Sequence, residues 1–274
     1  MPPESMHLYG FKRAADDIAA LAKELGAPQI ILGGHDWYVL LQFSIRGNHG
    51  LKVLFRGGMI VYRTAQWHPE LVTHVFSVCT PFMPNTDHFT STQDLVQGPL
   101  PQFGYQLQFA GPELEEALQT REQYQQFFKG LFGGRSQSGR PIMRPETGVD
   151  FEVLAEPIGD SPLVDATEIE YYVNQYSRQG MHGPCNWYRN REANFEDEKK
   201  LSPKTVDQPT LFILGSNENI LTRDLSAGME AYVSRLTRRE VPTGHWALWQ
   251  APDKVNGHIK EWLEAVVFGG KSTL

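Results

Sequence analysis

The chain has 274 residues with 41% hydrophobic side chains, enough for one large domain or a domain carrying a subdomain, which excludes a disordered segment. A net charge of −7 argues against nucleic acid or an anionic membrane surface as a partner. The opening stretch MPPESMHLYGFKRAADD lacks the apolar core of a secretory leader, and no apolar run reaches bilayer length. Cys79 and Cys185 have no metal-ligand spacing, so the sequence implies reduced thiols in a cytoplasmic protein, with no metal and no cofactor.

Residues 11–25 read as an amphipathic helix, because Phe11, Ala14, Ala15, Ile18, Leu21, Ala22 and Leu25 share one face and Gly26 follows as a C-terminal stop. Gln29, Ile30, Ile31 and Leu32, followed by Gly33 and Gly34, read as a buried parallel strand and a tight turn. Helix is expected over 59–65 and a second buried strand over 74–78, ended by Pro81 and Pro84. From about 98 to 200 helices replace strands, at 113–118, 122–131 and 167–179, with the polar stretch 136–150 as a loop. A strand at 210–214, a helix at 225–236, a short strand at 239–241 and a closing helix at 254–266 complete the chain. The order is an α/β class pattern interrupted by helices, which predicts a mostly parallel sheet flanked by helices with a helical cap. The core would take residues 1–94 and 201–274, with its strands within 28–83 and 209–266, and the cap residues 95–200.

Three residues in this order can carry chemistry. Asp36 lies in Gly34-His35-Asp36-Trp37, after a predicted strand, where a sharp strand-to-helix turn presents a nucleophile. Its carboxylate can attack carbon and form an ester. By itself it reads more readily as a turn or helix-cap aspartate than as a nucleophile. His245, in Gly244-His245-Trp246, follows the last predicted strand and has the side chain suited to general-base work, although loop histidines are common. Glu218, in the turn after strand 210–214, can orient that histidine; Asp224 is the rival, placed where a helix cap is expected. Nucleophile, acid and histidine in this order follow the chain order of α/β-hydrolases.

Gly33-Gly34-His35-Asp36-Trp37 resembles the nucleophile turn of epoxide hydrolases, and Pro242-Thr243-Gly244-His245-Trp246 resembles their histidine loop. Gly104-Tyr105-Gln106-Leu107-Gln108-Phe109 and Asn186-Trp187-Tyr188-Arg189 resemble the two cap segments that supply the family's lid tyrosines. The resemblance implies an α/β-hydrolase fold and hydrolysis of a small apolar epoxide by water to a vicinal diol. Asp36 would attack carbon, Tyr105 and Tyr188 would hold and protonate the leaving oxygen, and His245, oriented by Glu218, would activate the water. Without the resemblance, both tyrosines read rather as amphipathic aromatics at a subdomain interface. Trp37, whose backbone N–H would serve the oxyanion, and Trp187 would wall the pocket; core packing accounts for them as well.

The sequence departs from the family in two places. No counterpart of the family's first strands and His-Gly oxyanion loop precedes residue 11, so the fold is expected to be partial and the chain as given to turn over little substrate. Residues 38–56, YVLLQFSIRGNHGLKVLFR, fit no part of the pattern, which resumes at Gly57-Gly58. The Trp37 codon followed by that of Tyr38 supplies a G-TA splice-donor sequence, so a translated intron is one account. A genuine strand insertion is the other, since Val39, Leu40, Leu41, Phe43 and Ile45 can pair. The segment is expected to be poorly ordered or an extra element outside the usual fold. Bare sheet edges favour association, a homodimer included. Two rival functions remain at this point: a haloalkane or haloacid dehalogenase with the same Asp–His pair, and a non-catalytic α/β-hydrolase remnant.

Overall fold

A computed structural model describes residues 5–36, 57–202 and 204–269, with the backbone alone of 43–44 and 53–55. Trp37 and the rest of 38–56 lie outside the described residues.

After a 3-10 turn at Met6–Tyr9, α1 (Phe11–Glu24) forms on the expected apolar spacing and buries Phe11, Ala14, Ala15, Ile18 and Ala22. Gly10 offers no side-chain cap, and Asn194 supplies one instead: its Oδ1 accepts the Phe11 N–H at 2.8 Å. Gly26, at φ 62°, ends the helix with the Ala27 N–H bonded back to Ala22. There follow β1 (Ile30–His35), β2 (Phe43–Ser44), β3 (Val53–Phe55), α2 (Gly58–Trp67) and β4 (Val72–Val78). Helices then dominate: α3 (Thr92–Gln97), α4 (Tyr105–Ala110), α5 (Glu113–Ala117) and α6 (Arg121–Leu131). A small hairpin of β5 (Met143–Arg144) and β6 (Gly148–Val149) precedes α7 (Phe151–Leu154), α8 (Ala166–Gln179), α9 (His182–Arg189) and α10 (Arg191–Glu198). The chain closes with β7 (Thr210–Gly215), β8 (Leu236–Val241), α11 (Ala247–Gln250) and α12 (Pro252–Val266).

The chain divides into two compact units, one of Met1–Tyr9 with His88–Ala193 and the other of Gly10–Asp87 with Asn194–Leu274. The second unit holds a six-stranded sheet in the order β2-β3-β1-β4-β7-β8, parallel except for β2. Its central strands are apolar at successive positions because both faces are covered: Ile31, Phe76, Leu211 and Ile213 pack with Val255, Ile259 and Trp262 of α12. The helical unit is cored by aromatics on α6 and α8, where Phe128 lies 5.3 Å from Tyr172 and 4.8 Å from Tyr176. Thr120 and Asp165 start these two helices with reciprocal capping boxes. Among the described residues no helix is long and apolar enough to cross a membrane.

Three elements differ from expectation. Segment 38–56 contributes two strands to the sheet: β3 runs parallel to β1, with Val53 opposite Ile31 and Phe55 opposite Gly33, and β2 returns antiparallel to it. Physically, β3 supplies partners for the backbone groups of β1 on the side away from β4. The predicted helix 225–236 is two 3-10 turns (Arg223–Ser226 and Met229–Ala231) separated by Gly228 at φ 75°, and β8 begins already at Leu236. The predicted loop 136–150 contains the β5–β6 hairpin, whose two-residue strands are too short to leave an alternating pattern.

Candidate active site

The turn at the end of β1 is strained. Asp36 has φ 62°, a region that side chains with a Cβ rarely adopt. Its carbonyl accepts the N–H of Gly58, the first residue of α2, so the strand end and the helix start are tied across the turn. Small residues are required on both sides of that tie. A Cβ on Gly33 would stand 2.0 Å from the Phe76 ring, and one on Gly58 2.3 Å from Thr80 Cβ.

His245 comes from the loop after β8 and Glu218 from the turn after β7, and the Asn217 N–H bonded to the Thr243 carbonyl at 2.9 Å joins the two loops. The three side chains expected to act together are together. His245 Nε2 lies 3.1 Å from Asp36 Oδ1, and His245 Nδ1 lies 2.5 Å from Glu218 Oε2. The other Glu218 oxygen accepts the Ile220 N–H at 2.8 Å, and the Glu218 side chain has no exposed surface. Burial alone would raise its carboxyl pKa, but the hydrogen bond and charge of His245 and the backbone N–H donors hold it below the ordinary value. His245 shows the mirror effect. Burial disfavours its charge, yet the Asp36 charge and hydrogen bond, reinforced by Glu218, push its pKa up to about 10. Asp224 instead sits in the 3-10 turn Arg223–Ser226.

Sequence reasoning missed one residue here. His35, to which the turn motif assigns no role, donates from Nε2–H to the His245 carbonyl at 2.7 Å. Its ring packs 5.3 Å from that of His245 and about equally against Trp246 and Trp249, at 6.2 and 6.1 Å. Burial, and then the neighbouring His245 charge, lower its pKa to about 4, so it is neutral. The thiol of Cys79, at φ 64° after β4, reaches the same carbonyl at 3.6 Å. The signal available in the sequence was position alone: the residue before Asp36 in the turn motif, at the end of β1.

Tyr105 and Tyr188 come together in the helical unit, from α4 and α9. Their rings meet edge to face at 5.9 Å, and Phe109 completes a triangle at 5.6 and 5.0 Å. Gln106 Nε2 donates to the Tyr105 hydroxyl at 3.4 Å, and Trp187 meets Tyr9 edge to face at 6.1 Å. The start of α4 is fixed by the β5–β6 hairpin. The Tyr105 N–H bonds to the Pro145 carbonyl, and the Gln108 amide pairs with Val149 in both directions, at 2.9 and 2.7 Å, as a neighbouring strand would. Trp37 lies outside the described residues. Among the described residues no cluster of His, Cys, Asp and Glu is arranged to hold a metal ion.

A parallel sheet with a strained acidic turn after one strand and an acid and a histidine after the later ones defines an α/β-hydrolase, and residues 56–252 match the family described as alpha/beta hydrolase fold. The chain is 32% identical to Epoxide hydrolase srdG of Neurospora crassa over 96% of its own length and 74% of that protein's. Within the α/β-hydrolases it therefore belongs to the epoxide hydrolase family. It is 30% identical to Bifunctional epoxide hydrolase 2 of Sus scrofa over 96% of its length, spanning 44% of that longer relative. Epoxide Hydrolase A from Mycobacterium thermoresistibile shares the fold, with a TM-score of 0.73 at 22% identity over 96% of this chain and 78% of that one.

Proposed function

We propose that this chain opens an epoxide to a vicinal diol through an ester on Asp36. The observation that carries the reading is the arrangement of Asp36, held at φ 62°, with His245 at 3.1 Å and Glu218 behind it at 2.5 Å. An Asp36 carboxylate oxygen attacks an epoxide carbon, the C–O bond breaks, and the freed oxygen takes a proton from Tyr105 or Tyr188 while the other phenol bonds it. The proton that His245 gives up after ester formation returns through solvent to the tyrosinate. Water then attacks the ester carbonyl as His245 takes its proton and the backbone N–H of Trp37 bonds the oxyanion. The departing alkoxide takes the proton of the acid left on Asp36, so the diol leaves with Asp36 ionised and His245 protonated as at the start. Trp187 forms part of the apolar wall.

The charge pattern gives these steps an order. In the free protein His245 sits between two carboxylates and is protonated at neutral pH, so it cannot serve as a base. Ester formation removes the Asp36 charge, which lowers the affinity of His245 for its proton and frees it to act on water. The base is thus switched on by the first step. In this reading residues 95–200 are the cap and the sheet unit is the core. A cytoplasmic location fits two free, buried cysteines, and a homodimer is part of the proposal.

The test is intact-protein mass spectrometry of His245→Gln after incubation with styrene oxide. A stable adduct on the peptide containing Asp36, absent in Asp36→Ala, is the expected result. A folded protein without that adduct refutes the assignment.

A further inference from the structure

We propose that Arg189 is a positioning residue that holds the two lid phenols as a pair, an inference that rests on the epoxide reading for its catalytic consequence. Two phenols that address one oxygen must keep a fixed separation, and here they stand on different short helices. α4 has only six residues, too few to persist by its own hydrogen bonds, and its last carbonyls need partners from outside. Arg189, the residue after Tyr188, supplies them. Its Nε donates to the Ala110 carbonyl and its Nη2 to the Gly111 carbonyl, both at 2.8 Å, across 79 and 78 residues of sequence.

The rest of the guanidinium is committed as well. Nη1 donates to Asn186 Oδ1 at 3.0 Å, one turn back on α9, where Asn186 is fully buried. Nη2 also pairs with Glu115 on α5, and Glu115 accepts a second bond from His182 at 2.8 Å. The Arg189 side chain is 17% exposed, so these bonds are largely shielded from water. The end of α4 is therefore pinned to the end of α9, while the hairpin pins its start at Tyr105. A planar fork that donates to two carbonyls and a carboxylate is beyond a lysine, whose ammonium is a point donor. Asn186 and Arg189, which stand on either side of Tyr188 in its motif and take no part in proton transfer, thereby acquire a positioning role.

The experiment compares Arg189→Met with the parent chain on two readouts. The first needs no substrate: in tyrosine-labelled protein, NMR reports the mutual ring-current shifts of Tyr105 and Tyr188, assigned with the two Tyr→Phe variants. The second is the rate of Asp36 alkylation by styrene oxide in the His245→Gln background. Arg189→Met is expected to abolish the ring-contact shifts and slow alkylation on the order of 10²-fold, as small misplacements of reacting groups do. Arg140→Met, which breaks an ion pair to Glu156 in the same unit, should change neither readout. If Arg189→Met does not fold, Arg189→Lys, which keeps a charge beside Glu115, is read in the same way and should show the same losses in smaller measure. Ring contacts preserved without Arg189 in a folded protein, or an Arg140→Met variant slowed equally, overturn the proposal. A parent chain that leaves Asp36 unmodified removes the epoxide reading, while the ring shifts still decide for or against Arg189.

Discussion

Replacing Asp36 by Asn keeps the shape of the turn, because Asn tolerates a φ of 62°, and removes only the charge. The neutral amide reproduces the charge state of the proposed ester. Asp36 Oδ1 stands 3.1 Å from His245 Nε2. At an effective dielectric constant of ~20, unit charges that close interact by about 5 kcal/mol, and about 1.4 kcal/mol changes a pKa by one. The Asp36 and His245 side chains are 18% and 15% exposed, so solvent takes part of this. Keeping roughly half, His245 in Asp36→Asn should titrate roughly two pH units below the wild-type value, with Glu218 still favouring its proton. The assay is a pH titration of the His245 Cε1–H resonance by proton–carbon NMR in both proteins. An unchanged titration in Asp36→Asn, or a wild-type His245 that titrates at 6.5 like a free imidazole, would refute the argument that esterification switches on the base.

The same groups set how stability depends on pH. His245 is raised from 6.5 to about 10, so its contribution is complete below pH 6.5 and disappears as pH rises through 10; Glu218 is lowered, so its contribution is complete above 4.5 and lost on acidification. Thermal unfolding of the wild type should therefore weaken between pH 7 and 10, and in Asp36→Asn that slope should flatten; equal slopes contradict the pairing. Deleting residues 38–56 removes β2 and β3 and bares the edge of β1, so size-exclusion chromatography should show more self-association and calorimetry a lower midpoint. A monomer of higher midpoint would instead make the segment dispensable, as the intron account requires. Arg63, 3% exposed, pairs with Glu198 at 2.7 Å and donates to the Met83 carbonyl. Arg63→Met should cost on the order of 3–5 kcal/mol in urea unfolding, and Glu198→Leu in the same chain should return part of it; no loss would show the pair to be solvated.

The sheet was legible wherever a strand is buried on both faces: β1 and β7 announce themselves as short apolar runs, and α1 by its 3.6-residue period. The grouping of Asp36, Glu218 and His245 was legible because each follows a strand, so chain order translates into proximity at one end of a parallel sheet. What the sequence hides is set by long-range partners. β3 is a strand because β1 lies beside it, not because Val53, Leu54 and Phe55 alternate. Residues 225–236 carry a helical spacing, but Gly228 at φ 75° breaks it. His35 could not be distinguished from a spacer, since its partner is a backbone carbonyl 210 residues away. Arg189 acts in the same way, on carbonyls that no sequence pattern marks.

Asp36 and Cys79 lie just beyond the ends of adjacent strands, and both are non-glycine residues at positive φ. Each conformation costs on the order of 1–3 kcal/mol, which the surrounding packing overcomes. At Cys79 Gly removes that penalty and Asn reduces it, a gain compatible with turnover, so laboratory evolution for heat resistance would find a reward there. At Asp36 the same exchange also removes the ion pair with His245, which offsets the gain as long as His245 is protonated. Only above about pH 10, where that pair has dissolved, would a library sorted by melting temperature alone be drawn away from the proposed nucleophile.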